Sequence, residues 1–287
     1  MLLLSILRCY QFISEHGNPL NLVTKDQGTP SSTSLDLASY RCVHNYSIEL
    51  LSVDPLAIYI NNFIRNDEID HVLHLVQDSF TPSLVTPNNS SSELSLNQTV
   101  RLSQTAFPPG DDPVAQCLMD RTRSLLGNVQ HAHIETPQVV KYEAGADRFR
   151  AHTDWFDPPT RETVFNEDSA QPTVRRSNRL GSIFAYLVDD CTRGETFFPE
   201  LPRVSLAADG DKFALPADDG GGGAANKGLL VRPRRGNAVF WNNLLADGSG
   251  DLRTVHAGLP VGDGTKVGLN IWSRYYFDLP MVGGEGE

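Results

Sequence analysis

From Thr136 onward the chain is a succession of short β-rich runs, QVVKY, SIFAYLV, ETFFPEL, NAVFWNNL and KVGLNIWSRYYF, separated by Gly, Pro and Asp. Strands this short without regular helical crossovers predict a sandwich or barrel, not alternating βα units. Two polar segments interrupt them. Residues 157–180 read as a loop, and residues 207–228, with four consecutive glycines, read as a flexible acidic insertion.

The first half is different. Ile69, Val72, Leu73 and Val76 recur at helical spacing behind Asn66, Asp67 and Glu68, which predicts an amphipathic helix capped by Asn66. Asp112 followed by Pro113 starts a second helix, with Val114, Cys117, Leu118 and Leu125 on one face and a stop at Gly127. TPNNSSSELSLNQT, between them, is a solvated loop. The expected fold is therefore mainly β with flanking helices.

A chain of 287 residues with 40% hydrophobic content can bury a sizeable core. Its net charge of −11 argues against nucleic acid as a partner, since that requires a basic face. The start, MLLLSIL, is too short to span a bilayer and makes a poor signal peptide, so no firm membrane segment is expected. N-x-S/T triplets at Asn45, Asn88, Asn89 and Asn97 suit a secretory route, and the endoplasmic reticulum or secretory pathway is preferred to the cytoplasm. Cys9, Cys42, Cys117 and Cys191 show no metal spacing and are expected to be unpaired thiols.

The chemistry concentrates in AHTDWF. On a strand, residues two apart share a face, so His152 and Asp154 offer one metal an imidazole and a carboxylate. A third ligand would complete a 2-His-1-carboxylate set, which leaves open positions on Fe(II). His16 falls in a polar N-terminal arm, His44 before the core, and His71 and His74 on the first helix. His131 and His133 form a rival H-x-H that reads as a surface loop. His256, just before the last strand, remains. On that last strand Lys266, Gly268, Asn270 and Trp272 share one face, and Val267, Leu269 and Ile271 the other. The apolar set can pack against an outer layer, so Lys266 faces a polar cavity, where a buried ammonium needs an anionic partner.

The segments DPLAIYINNFIRNDEIDHVL, VRLSQTAF, PQVVKYEAG, AHTDWF, NRLGSIFAYL, GETFFPEL, RRGNAVFWNNL and HAGLPVGDGTKVGLNIWSR stand in the order found in the prolyl 4-hydroxylase family of Fe(II)/2-oxoglutarate dioxygenases, which this chain resembles from about Asp54 to Phe277. His256 and Lys266 are ten apart and Trp272 follows six later, matching the family's spacing.

The resemblance implies a double-stranded β-helix, or jelly roll, with N-terminal helices packed on the sheet. It implies that His152, Asp154 and His256 ligate Fe(II), and that Lys266 pairs with the distal carboxylate of 2-oxoglutarate. Tyr142 and Thr196 would help hold that carboxylate, and Trp272 would line the cavity. O2 and ascorbate come with the family, as does a proline-containing peptide or protein substrate converted to 4-hydroxyproline with release of succinate and CO2. The chain is too short for the additional peptide-binding domain of the collagen-type enzymes, and a monomer is expected. Residues 1–41 are expected to be a loose arm and residues 42–278 the dioxygenase domain, with helical support over 54–130 and the jelly-roll core over 136–278; residues 279–287 form a disordered tail.

Some positions depart from the family. An extra residue near Ala146 separates Tyr142 from His152, Arg193 replaces a glycine, and Arg235 replaces a lysine. Glu195 is read as structural, Trp155 and Phe156 as packing, and Arg148 and Arg274 as candidate grips on a peptide or product. Two other classes share the same three ligands: a cupin-type metal enzyme of another reaction class, and a catalytically silent jelly-roll binding module. A cupin of that kind has no use for Lys266.

Overall fold

The run KVGLNIWSRYYF becomes the middle of the molecule. In the computed structural model, which describes residues 35–83, 103–127, 133–145, 149–164, 172–203, 210–215 and 228–278, it forms most of a 16-residue strand. The first half supplies β1 (Ser47–Val53), β2 (Leu56–Asn61), α1 (Asn66–Val76), β3 (Thr81–Pro82), β4 (Gln104–Ala106) and α2 (Pro113–Leu125). The second begins with β5 (His133–Ile134), β6 (Gln138–Glu143), β7 (Phe149–His152), β8 (Thr160–Val164) and β9 (Thr173–Arg193). It closes with β10 (Thr196–Phe198), β11 (Leu229–Val231), β12 (Ala238–Asn242), β13 (His256–Gly258) and β14 (Val261–Tyr276).

Two antiparallel sheets result. The larger has ten strands, in the order β1-β2-β12-β9-β14-β6-β4-β3, with β5 added on β14 and β8 on β9; the smaller has the order β11-β10-β13-β7. This is a jelly roll.

The strand period sorts the large sheet into two faces. In register, Lys266 lies opposite Tyr142, Gly268 opposite Tyr186, Asn270 opposite Phe184 and Trp272 opposite Ser182, and these line the interior between the sheets. Gly268 is required there, because a Cβ would sit 2.1 Å from the Phe184 ring. Leu269 and Ile271, with Ala185 and Ile183 opposite them, point outward. The helices cover that outer face: Ile69, Val72 and Val76 of α1 and Val114 and Leu118 of α2 join its apolar cluster, each at most 1% exposed. Each contributes about 1.5–3 kcal/mol by burial.

A buried ion pair joins the helices. Glu68, fully buried, accepts from Arg121 Nη2 at 2.8 Å and Nη1 at 3.0 Å, from the Tyr40 hydroxyl at 2.8 Å and from the Arg65 backbone N–H at 3.0 Å. Burial alone would raise its pKa, but Arg121 outweighs that and keeps the carboxyl below its ordinary value.

Several expectations are corrected. The helix begins behind Arg65, whose N–H is capped by Glu68, while the Asn66 side chain accepts from Arg235 at 3.1 Å. Within 157–180, the described residues are not all loop, since β8 pairs with the start of β9. The β8–β9 ribbon has no apolar alternation because few of its side chains are buried. His133 is not in a loop either; it pairs with Arg274 on β14. Cys42 and Cys117 are joined in a disulfide with Cα atoms 5.4 Å apart, leaving Cys191 as the free thiol among the described residues. The 75-residue separation hid that pair.

Asn88, Asn89, Asn97, His16, His131, Ala146, Arg148, the glycine run and the C-terminal tail lie outside the described residues. Among the described residues no helix is long and apolar enough to cross a membrane.

The disulfide tethers the segment before β1 to α2 across 75 residues. Cys117→Ser is expected to lower stability by about 2–5 kcal/mol in urea unfolding. A midpoint that moves under neither substitution nor reduction contradicts the pairing.

Candidate active site

His152 ends β7 and His256 begins β13, and the antiparallel register places them directly opposite each other, with ring centroids 4.3 Å apart. Each ring is oriented by a backbone carbonyl two residues back: His152 Nδ1 meets Arg150 O at 2.8 Å and His256 Nδ1 meets Thr254 O at 3.0 Å. With a proton on each Nδ1 for that bond, both Nε2 lone pairs are left for a metal. Asp154 lies past the end of β7, so a bend in the chain, not strand alternation, brings its carboxylate to the imidazoles. Its Oδ1 is 3.7 Å from His152 Nε2 and its Oδ2 3.8 Å from His256 Nε2. One donor atom from each of the three falls within 4.8 Å of the others, as a metal would need.

Asp154 is 6% exposed. Burial pushes its pKa up, but His256, His152, Arg179 and the Ser182 hydroxyl outweigh that and hold it at about 2. The site therefore presents an ionised carboxylate over the whole physiological range.

Lys266 stands deeper, 1% exposed, opposite Tyr142 across the β14–β6 ladder. Its Nζ donates to Gly194 O at 2.7 Å and lies 5.0 Å from the Phe184 ring centroid, 5.3 Å from Tyr142 and 5.7 Å from Tyr186. Among the described residues no carboxylate is within ion-pair distance of it. Burial brings its pKa from 10.5 down to about 8, with Cys191 and Glu195 partly opposing. Thr196 is buried and its hydroxyl meets the Tyr186 hydroxyl at 2.9 Å. Tyr142, 5% exposed, has its hydroxyl 3.8 Å from where a Cβ on Gly258 would lie, two residues past His256. The extra residue before His152 thus leaves Tyr142 inside the cavity. Trp272 is 7% exposed, lies under the Arg179 guanidinium at 3.6 Å, and has no hydrogen-bond partner for its Nε1 among the described residues.

The other candidates fall away from the centre. Glu195 is no part of the His–Asp–His cluster. Arg274 is taken up by Glu135, Glu162, Thr160 and Ser177. Trp155 packs on Gly250 and donates to Asp251 O, while Phe156 lies beside Arg179. His71 pairs with Asp112, the cap of α2. Sequence reasoning missed Ser182 and Tyr186, although reading SIFAYLV with period two puts them on one face with Phe184. Asn243, Arg179 and Glu135 are brought in only by the fold.

No family model matches the sequence. The probable prolyl 4-hydroxylase 4 of Arabidopsis thaliana is 28% identical over 244 residues, spanning 84% of this chain and 75% of that protein. The prolyl 4-hydroxylase subunit alpha-2 of Caenorhabditis elegans is 30% identical over 226 residues, or 78% of this chain and 35% of the relative. Over most of its length the chain is similar to prolyl 4-hydroxylases. A solved viral collagen prolyl hydroxylase from Paramecium Bursaria Chlorella virus-1 superposes loosely, with a TM-score of 0.49 and 21% identity over 76% of this chain and 95% of its own.

In this prolyl 4-hydroxylase homologue the buried lysine has a measurable signature. Between about pH 8 and 10.5 the unfolded chain carries a proton on Lys266 that the folded chain has lost. Stability therefore rises with pH across that window. The rise is on the order of 3 kcal/mol. Urea unfolding of ligand-free native protein and of Lys266→Met should show the rise in the native protein and lose it in the variant. Equal pH slopes contradict the buried, depressed lysine.

Proposed function

We propose that this chain is an Fe(II)- and 2-oxoglutarate-dependent dioxygenase that hydroxylates prolyl residues of a peptide or protein to 4-hydroxyproline, with release of succinate and CO2. The observation that carries the reading is Lys266, buried with no carboxylate at ion-pair distance among the described residues, in a jelly roll whose His152, Asp154 and His256 converge.

Two imidazoles and one ionised carboxylate on one side suit Fe(II) and leave its remaining positions open to ligands. Bound there with 2-oxoglutarate and O2, the metal supplies the oxidising chemistry. The chain's own residues do the rest. Lys266 meets the distal carboxylate of 2-oxoglutarate, an ion pair that offsets the burial of both charges. The Tyr142 and Thr196 hydroxyls add hydrogen bonds to it. Tyr186, hydrogen-bonded to Thr196, fixes that hydroxyl's direction. Trp272, with Phe184 and Trp241, walls the cavity and limits water. Ascorbate is included as the reductant that accompanies this family. The chain acts as a monomer, and the Cys42–Cys117 bond supports an oxidising compartment such as the endoplasmic reticulum. The domain is taken to run over residues 42–278.

The test is a proline-containing peptide incubated with Fe(II), 2-oxoglutarate, ascorbate and labelled O2, read by mass spectrometry. The native protein should add one labelled oxygen to proline and form one succinate per event. His256→Ala and Asp154→Ala should fall to background. Succinate formation with no labelled peptide across a panel of proline sequences would contradict the prolyl substrate.

A further inference from the structure

Asn45-Tyr46-Ser47 lies where the chain enters β1. Asn45 is exposed, and no described residue hydrogen-bonds its carboxamide; only its backbone carbonyl is engaged, by Asn62 Nδ2 at 3.4 Å. Ser47 is exposed as well. The two groups that N-glycosylation of such a triplet requires, the amide nitrogen and the hydroxyl two residues on, are thus both open to solvent. Three residues upstream, Cys42 is held in its disulfide, as suits an oxidising lumen. β1 is also an edge strand, with Ile48 56%, Leu50 61% and Val53 76% exposed, an edge of the kind that pairs with other chains unless covered.

We propose that Asn45 carries an N-linked glycan. The bond formed joins Asn45 Nδ2 to the anomeric carbon of an oligosaccharide. The bond broken is that carbon's link to a lipid pyrophosphate, which leaves with the electron pair while the amide gives up a proton; nothing is oxidised or reduced. The inference rests on the secretory compartment proposed above.

The full chain, made in a eukaryotic host with its own N-terminus, is mapped by mass spectrometry without reduction, before and after enzymatic deglycosylation. The peptide containing Asn45 should appear with Asp in its place after deglycosylation. Asn45→Gln and Ser47→Ala should each abolish that conversion, and Ser47→Thr should keep it. Unmodified Asn45 in a chain whose Cys42–Cys117 bond has formed overturns the glycan and leaves the compartment standing. Unmodified Asn45 with free thiols overturns both.

A different observation concerns the centre itself. The Ser182 hydroxyl donates to Asp154 Oδ2 at 2.6 Å, and Asn243 Nδ2 donates to Ser182 Oγ at 2.8 Å. Because Asn243 fills the acceptor side of Ser182, the hydroxyl proton is committed to Asp154. Asn243 is anchored in turn: its N–H donates to Leu180 O at 2.8 Å and its carbonyl accepts from Asp251 N at 2.9 Å. Asp251 O accepts from Thr254 Oγ1 at 2.7 Å, and Thr254 O holds His256 Nδ1 at 3.0 Å. One connected path therefore runs from Asp154 to His256 through protein alone.

We infer that Ser182 and Asn243 are positioning residues that fix the Asp154 carboxylate for the metal; this rests on the proposed metal site. The probe is Co(II), titrated without O2 and followed by its visible bands, with the melting curve of the metal-free protein as control. Ser182→Ala should weaken Co(II) binding by about 10–100-fold and change the band pattern, and Ser182→Thr should restore both. If Ser182→Ala fails to fold, Asn243→Leu reads the same path and should weaken binding in the same direction. A folded Ser182→Ala that binds Co(II) with native affinity and native bands overturns the positioning role. A native protein that takes no Co(II) overturns the site on which it rests.

Discussion

An ammonium group sits inside this jelly roll with a backbone carbonyl as its polar neighbour and three aromatic rings around it. Desolvating a charge in that way costs stability, and the depressed pKa of Lys266 is the sign of it. The rest of the structure has to carry that cost. The outer face of the large sheet is sealed by α1 and α2, the helices are joined through Glu68 and Arg121, and the segment before β1 is tied to α2 by a disulfide.

Arg121 and Lys266, both buried, are handled differently. Arg121 meets a carboxylate with two hydrogen bonds, and that carboxylate is further satisfied by Tyr40 and Arg65, so the group is complete without a ligand. Lys266 has no such carboxylate among the described residues. A completed pair reads as architecture; an incomplete one, in the same interior as two imidazoles and an ionised Asp154, reads as a receptor for an anion. In the metal-free protein Asp154 and Lys266 keep opposite charges apart, one among polar donors and one among rings.

What was legible in the sequence was whatever has a short period or a short spacing. β14 showed its two faces because side chains alternate, α2 showed its ends because Asp112, Pro113 and Gly127 are each suited to one position, and His152, Asp154, His256 and Lys266 fell on spacings a family shares. The β8–β9 ribbon was invisible because its exposed strands have no apolar alternation to read. Cys42 and Cys117 were invisible as a pair because nothing local connects them. Ser182 and Asn243 escaped for the same reason as Glu135 with its two arginines: each is an ordinary polar residue until the fold places it against its partner.

The central claim is that one cavity holds a metal at His152, Asp154 and His256 and an acid's far carboxylate at Lys266. Its most direct test is an O2-free titration of the Fe(II)-loaded protein with 2-oxoglutarate, recording the visible charge-transfer band that chelation of the keto acid produces, in native protein, His256→Ala and Lys266→Ala. The account predicts a band in the native protein, its loss in His256→Ala, and a much higher 2-oxoglutarate requirement in Lys266→Ala. A folded, iron-loaded native protein that shows no band, or a Lys266→Ala that titrates as the native protein does, contradicts it.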